Sequence, residues 1–201
     1  MSPVLDPAWL CPALAVALIA AGLAWFERGR WPLSHLPIIA VLAACAALGR
    51  ILTAVIPSVQ PTTFLVMLAG LAFGPTAGFM TGVLATFGSN LFLGHGLWTL
   101  WQALAWGACG ASLGWFARAW PSPPTWTLVT AGVAWGFVFG WIQNLWHWLA
   151  FVHPLSLASW LAINTASLPF DATHATTNAI LLAFASQPIL RILYRYTSPN
   201  Y

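Results

Sequence analysis

The sequence contains very little charge. Only 4% of its 201 residues are charged and 60% are hydrophobic, whereas soluble domains carry about a quarter charged residues. Lysine is absent, and the six basic residues are all arginines scattered singly or in a close pair between apolar runs. So few polar side chains cannot solvate a globule, which excludes a soluble fold. The scattered arginines also give no basic patch for binding nucleic acid.

Several catalytic and metal-binding motifs are also missing. There is no glycine-rich Lys-Ser/Thr phosphate loop, so the chain itself is not expected to hydrolyse ATP. The Gly-x-Ser-x-Gly and His-Glu-x-x-His motifs are absent too, which argues against an intramembrane enzyme. Cys11, Cys45 and Cys109 each lie in an apolar segment without paired spacing. We therefore predict no catalytic residue, no resident metal and no cofactor.

Apolar runs of membrane-spanning length recur along the whole chain. A helix needs about 20 residues to cross a hydrocarbon core of about 30 Å, and the runs are divided by glycine, proline and arginine. The fold class predicted is an all-α polytopic membrane protein with a six-helix core and one extra N-terminal transmembrane helix. The helices are expected near residues 8–26, 36–56, 62–74, 76–93, 98–118, 125–150 and 158–195.

The first and the last of these blocks differ from the others. The first begins without a basic segment and lacks a small-residue cleavage site, so we expect a retained helix and not a signal peptide. The division expected is 1–30 for this helix and its cytoplasmic linker, and 31–201 for the substrate-binding domain. The last block contains Pro169, where a short outer helix or re-entrant piece is expected to join the span.

The arginines predict the orientation, because basic residues are enriched in cytoplasmic loops near the ends of spans. If the helix at 36–56 runs from inside to outside, alternating crossings place the following residues in the cytoplasm: Arg28, Arg30, Arg118, Arg191 and Arg195. The protein is then a multi-pass protein of the cell inner membrane with a cytoplasmic C-terminus. Gln60, His95 and His153 are predicted to be external.

Arg50 is the arginine that this pattern leaves inside a helix. A charge at a helix centre costs about 2.5 to 3.5 kcal/mol on insertion scales. One interpretation is that Arg50 extends to the outer headgroups. The other is that it faces a cavity and meets Asp171 or an anionic substrate.

Polar residues recur on one face of the last helix. Asp171, His174 and Asn178 are spaced i, i+3 and i+7, which places them on one side of a helix. Such a stripe must face protein or water. Metal ligation is the weaker interpretation, because the histidines and the carboxylate give no ligand spacing.

Aromatic and amide residues concentrate in two segments, 88–106 and 141–148. An interfacial tryptophan belt is one explanation, but a belt does not require amides and hydroxyls beside it. We therefore favour a flat-ring, vitamin-like ligand held by stacking and a few hydrogen bonds. The predicted substrate-binding residues are Arg50, Gln60, Asn90, His95, Trp98, Thr99, Trp101, Gln102, Trp106, Asn144, His147, Asp171, His174 and Asn178.

Small residues repeat at fourfold spacing in the helix at 36–56, as the pairs Ala40/Ala44 and Ala43/Ala47. Surfaces of this kind allow helices to approach closely. The four alanines are predicted either to pack within the chain or to dock a partner subunit.

As an ordered set, several motifs resemble the substrate-specific (S) components of energy-coupling-factor (ECF) transporters. The resemblance covers residues 36 to 195 and leaves out the N-terminal helix. It rests on Gly49-Arg50, Pro57-Ser-Val-Gln-Pro-Thr-Thr63, Gly70, Phe73-Gly-Pro75, Gly78, Ser89-Asn90, Gly94 to Gln102, Trp106-Gly107, Pro169-Phe-Asp-Ala-Thr-His-Ala175 and Asn178. The chain departs from close relatives at Ser58, Leu97 and Leu100, where those have Asn, Pro and Pro.

The resemblance implies a function. S components capture a vitamin or related micronutrient from outside and dock to a coupling transmembrane subunit that works with two cytoplasmic ATPase subunits. The substrate stays open among a cobalamin-type corrinoid or its precursor, another ring-bearing vitamin and a modified base. The alternatives are a solitary small-molecule transporter without ATPase partners and an intramembrane enzyme.

Overall fold

The computed structural model describes residues 7–28 and 35–196, with side-chain surroundings from residue 12 onward. Arg30 and the rest of the first linker lie outside the described residues. The described ranges contain seven helices and match the predicted all-α class: α1 Pro7–Arg28, α2 His35–Thr53, α3 Pro61–Phe73, α4 Pro75–Leu93, α5 Trp98–Ala119, α6 Thr125–Phe151 and α7 Leu157–Arg195.

The largest boundary difference is at the end of α2, predicted at residue 56 and found at Thr53. Beyond this point the backbone forms single turns, in which Ile56 N–H donates to the Thr53 carbonyl at 2.9 Å. Pro57 accounts for the early end, because a proline disfavours helical geometry in the residue before it.

Several helices are suited to a bilayer. Within the described ranges, four are long and apolar enough to cross it, namely α2, α4, α6 and α7. The apolar helix α3 has only 13 residues, which is shorter than a full span. The chain is therefore a polytopic membrane protein.

The expected break at Pro169 is wrong. Helix α7 runs through Pro169 and Pro188 for 39 residues, and it begins with a capping box between Ser156 and Ser159. A proline removes one helical hydrogen bond, and the helix tolerates this loss. At about 1.5 Å per residue α7 is about 58 Å long, well beyond a core of about 30 Å.

Helix α3 occupies the centre of the bundle. Most of its residues are buried, and it packs against α2, α4, α5 and α7. Its side chains Phe64, Met67 and Leu68 join one hydrophobic core with residues of α2, α5, α6 and α7. This central position places the beginning of α3 at the junction of four helices.

The paired helices α4 and α5 approach closely at Gly78 and Gly110. A Cβ added to either glycine would collide with the backbone of the other. Helix α1 packs outside this pair, where Trp25 stacks on Trp115 with ring centroids 5.6 Å apart. The N-terminal helix is thus peripheral to the six-helix core.

The linkers separate to opposite ends of the bundle. At one end Arg118 lies beside Gly74, in the short linker between α3 and α4. At the other end the segment before α3, the end of α4 and the parts of α6 and α7 around Gly140 and Asp171 surround two cavities. This separation agrees with the predicted sorting, and which end faces the cytoplasm stays a prediction.

Candidate functional site

The larger cavity has a volume of about 300 Å³ and lies where α3 begins, between α5, α6 and α7. Five predicted binding residues line it: Gln60, Gln102, Asn144, Asp171 and His174. Six further residues complete the lining: Ser58, Phe139, Gly140, Gln143, Ser167 and Phe170. A mixed lining of aromatic and amide groups is typical of small-molecule sites.

A smaller cavity of about 190 Å³ adjoins it and is lined by Arg50, Val59 and Leu93 among others. Ser58 and Gln60 line both cavities. Ser58 has φ of 61°, in the left-handed region that is uncommon for residues other than glycine, asparagine and aspartate. A strained residue of this kind often occurs at a binding site, where the surrounding structure holds it.

Arg50 is held by neutral groups. Its Nη1 donates to Ser89 Oγ at 2.7 Å and to Asn90 Oδ1, and its guanidinium lies over the Trp106 ring. In the part of the chain that the structure describes, Arg50 makes no ion pair with Asp171, so the direct pairing considered from the sequence is wrong. Hydrogen bonds and a cation–π contact instead offset the cost of placing this charge in a helix.

Asn90 connects Arg50 to helix α5. Besides accepting from Arg50, its Nδ2 donates to Thr99 Oγ1 at 3.0 Å and to Gln102 Oε1 at 2.9 Å. Asn90 and Thr99 are buried. The buried amide therefore fixes the side chain of Gln102, which lines the larger cavity.

Trp106 connects α5 to α3 and α7 beneath the larger cavity. Its Nε1 donates to Thr63 Oγ1 at 2.9 Å, and the Thr63 hydroxyl lies 2.6 Å from His174 Nε2. The Phe139 ring packs against both Trp106 and His174. These four side chains are buried and pack together below the larger cavity.

Asp171 is 5% exposed and forms one wall. Its Oδ2 accepts a hydrogen bond from Ser167 at 2.9 Å, and Ser167 accepts one from Asn144 at 2.8 Å. The absence of a side chain at Gly140 is required here, because a Cβ would overlap the Asp171 carboxylate. Helix α6 thus makes room for the acid that α7 supplies.

Two amide groups of the lining keep an unpaired polar atom. Gln60 Oε1 and Gln143 Nε2 are buried atoms without a hydrogen-bond partner in the protein. An unsatisfied buried polar atom costs about 1 to 3 kcal/mol. Both residues line the larger cavity, but these two atoms are inaccessible to solvent, so a ligand there could reach them only if the amide groups rotate.

Other predicted binding residues are not brought to the cavity lining. His95, Trp98 and His147 are exposed, whereas Trp101 is buried in α5. Asn178 is buried deeper in the bundle and donates to the Gly132 carbonyl at 3.0 Å. Their assignment as substrate contacts is untested, and the geometry gives them no direct place in either cavity.

The described residues contain no group of three histidine, cysteine or acidic side chains placed to hold a metal ion. His174 and Asp171 both line the cavity, but they have separate partners in Thr63 and Ser167. The site is therefore suited to binding through hydrogen bonds and aromatic contacts.

The four alanines of α2 divide into two faces. Ala43 and Ala47 are buried within the chain, and Ala47 packs near Gly88 of α4. Ala40 and Ala44 are exposed. Only the second pair is available to a partner, so the docking prediction narrows to Ala40 and Ala44.

Several lining residues were not predicted, although their helical spacing from predicted residues indicates them. Ser167 precedes Asp171 by four residues and extends the polar stripe of α7 across Pro169. Gly140 and Gln143 share the face of α6 that carries Asn144. The stripe was cut at Pro169 because the helix was expected to break there.

A model of the family described as "ECF transporter, substrate-specific component" matches residues 34–185. The chain belongs to this family. Comparison with curated proteins and with solved structures gives no match. By its family, the protein is thus a membrane-embedded, substrate-binding subunit of an ECF transporter. S components are transporter subunits and not enzymes. Helix α1 lies outside the matched range.

Proposed function

We propose that this S component captures a vitamin or related micronutrient in the two adjoining cavities and passes it to a coupling transmembrane subunit powered by two cytoplasmic ATPase subunits. The observation that carries the proposal is the larger cavity itself, which is lined by amide, carboxylate and aromatic side chains in a chain from this family. A lining of this kind offers hydrogen-bonding groups and aromatic surface to a small polar substrate.

The cavity size bears on the substrate. A volume of about 300 Å³ is at the lower end of the range of ligand pockets, about 300 to 1,000 Å³. A compact ring-bearing vitamin or modified base is suited to this space. A cobalamin-type corrinoid is much larger, and its binding would require the cavity to widen at its opening.

The docking surface proposed is the exposed face of α2 that carries Ala40 and Ala44. Small side chains there would let a helix of the coupling subunit approach closely. We place the S component in the cell inner membrane with its C-terminus in the cytoplasm and the cavities facing outward. Residues 31–201 form the substrate-binding domain in this proposal.

Co-purification tests the assembly. Affinity purification of the S component from its native membrane should recover a coupling transmembrane protein and two ATPase subunits. If the chain is isolated alone and a strain without ATPase modules still takes up the substrate, a solitary transporter replaces this proposal.

Native mass spectrometry of the same sample tests substrate capture. A bound small molecule should be released on activation in the gas phase, and its mass identifies the vitamin class. A corrinoid mass would show that the cavity widens, whereas a mass of a few hundred daltons would agree with the described volume.

A further inference from the structure

The two charged side chains at the cavities lack a partner of opposite charge in the described part of the chain. Arg50 donates to the neutral side chains of Ser89 and Asn90. The Asp171 carboxylate accepts a hydrogen bond at Oδ2 from the neutral Ser167. A buried charge that is not paired is costly, so both positions favour a ligand that supplies the missing charge.

The two charged side chains line different cavities that adjoin each other. Arg50 lines the smaller cavity and Asp171 lines the larger one. Ser58 and Gln60 line both cavities, so the two cavities lie side by side. A direct ion pair between the two residues would have removed the need for such a ligand, and the structure does not contain it.

The surroundings of Asp171 indicate a ring with several N–H groups. Phe139 and Phe170 supply aromatic surface in the same lining. A carboxylate accepts hydrogen bonds from two adjacent donors in bidentate geometry. A protonated or amino-substituted nitrogen heterocycle presents such an edge.

The surroundings of Arg50 indicate an anionic substituent. A guanidinium has five N–H donors in a fixed fork, and the hydrogen bonds to Ser89 and Asn90 both use Nη1. Donors on Nη2 and Nε thus stay available at the smaller cavity, whose volume of about 190 Å³ suits a carboxylate or phosphate. Arginine is the residue that best recognises these groups.

We propose that the substrate is an amphoteric nitrogen heterocycle that spans both cavities, with its N–H edge at Asp171 and a carboxylate or phosphate substituent at Arg50. This inference rests on the proposed function, because it names the class of molecule that the same site captures. In this arrangement Asp171 and Arg50 contact opposite ends of one ligand.

Binding to two matched series of compounds tests the inference on the purified protein in nanodiscs. One series is pterin-6-carboxylate, 6-methylpterin and 2-naphthoate; the other is thiamine monophosphate, thiamine and phenyl phosphate. In each series the first compound has both the N–H edge and the anion, the second lacks the anion, and the third lacks the edge. In at least one series the first compound should bind at least about thirtyfold more tightly than the other two, because losing one member of a buried charged pair costs about 2 kcal/mol or more.

Two charge-removing variants locate the ends of the ligand. Asp171→Asn should weaken the complete compound and the compound without the anion, and leave the compound without the N–H edge unchanged. Arg50→Gln should weaken the complete compound and the compound without the N–H edge, and leave the compound without the anion unchanged. Glu27→Gln and Arg118→Gln make the same chemical changes away from both cavities and should change none of the affinities.

The outcomes separate the two proposals. If a single-function compound binds as tightly as the complete one, or if Asp171→Asn and Arg50→Gln bind like the wild type, the inference is overturned while substrate capture survives. If none of the six compounds binds, the inference is overturned, and the co-purification and native mass spectrometry experiments still decide the proposed function. The comparison of compounds on the wild-type protein stands even if a variant fails to fold.

Discussion

The guanidinium carbon of Arg50 lies 5.0 Å from the ring centroid of Trp106. This contact joins the charge of α2 to the buried indole of α5, whose N–H group is bonded to Thr63. A cation over an aromatic face is worth about 0.5 to 2 kcal/mol, with the larger values in desolvated sites. The membrane helix therefore accommodates Arg50 through aromatic and neutral polar contacts.

The first prediction concerns this arginine. Arg50→Ala should leave a folded protein whose substrate affinity falls by about 2 to 5 kcal/mol, the cost of removing one member of a buried charged pair. Some loss of stability, about 1 to 3 kcal/mol, should accompany it because Asn90 Oδ1 loses its donor. Calorimetric titration and thermal unfolding measure the two effects, with Arg118→Ala as the control. A folded Arg50→Ala protein with wild-type affinity would show that Arg50 has only a structural role.

The aromatic lining gives a second prediction. The sequence predicted Trp98 as a substrate-binding residue, but Phe170 and not Trp98 lines the larger cavity. Phe170→Ala should weaken substrate binding by about 1 to 3 kcal/mol without unfolding the protein, because this side chain is half-exposed. Trp98→Ala is the comparison variant and should weaken binding less. A larger loss for Trp98→Ala in the same titration would restore the original assignment.

Gly140 gives the third prediction. Gly140→Ala should strongly reduce substrate binding, because its methyl group would displace the Asp171 carboxylate from the wall of the cavity. Gly88→Ala is the matched control, since a methyl group there would make an ordinary contact with Ala47. Equal affinities of the two variants in a titration would contradict the positioning of Asp171 by α6.

The docking face gives the fourth prediction. Ala44→Leu should abolish uptake by the assembled transporter and leave substrate binding intact, because the exposed face of α2 would no longer allow close helix approach. Ala43→Leu should instead lower the thermal stability, because overpacking a buried position costs about 1 to 3 kcal/mol. Uptake in vesicles, titration and thermal unfolding separate the effects. Normal uptake by Ala44→Leu would move the docking surface elsewhere.

The fifth prediction concerns orientation. In a background without native cysteines, His95→Cys and His153→Cys should react with an impermeant maleimide added outside intact cells. Arg118→Cys should react only after the membrane is permeabilised, because basic residues mark the cytoplasmic side. Labelling of position 118 but not of position 95 from outside would invert the topology.

The seven helices could be predicted from the sequence because each signal is local. Apolar length, proline and glycine act within one segment, so the predicted ends lie close to the observed ones. The break expected at Pro169 is the main exception, and its cause is not local. Pro169 was expected to break α7, yet the remaining hydrogen bonds and the packing of α7 against α3 and α6 keep the helix continuous.

The candidate site was predictable only in part. The helical period placed Asp171 and His174 on one face, and both line the larger cavity. Asn178 shares that face but lies deeper, where it bonds to the α6 backbone. A periodic stripe gives the direction of each side chain and does not say at which depth the cavity ends.

The sequence by itself determined the class of the protein, the approximate positions of its helices and the family to which it belongs, because hydrophobic length and ordered motifs are properties of the chain read in one dimension. The tertiary structure decided that Arg50 bonds to Ser89 and Asn90, that Ala43 is buried while Ala44 is exposed, and that Gln60 and Gln143 keep unpaired atoms. These features depend on how each helix is rotated against its neighbours. That rotation is fixed by packing between residues far apart in the sequence, such as Gly140 with Asp171, and a local pattern does not contain it.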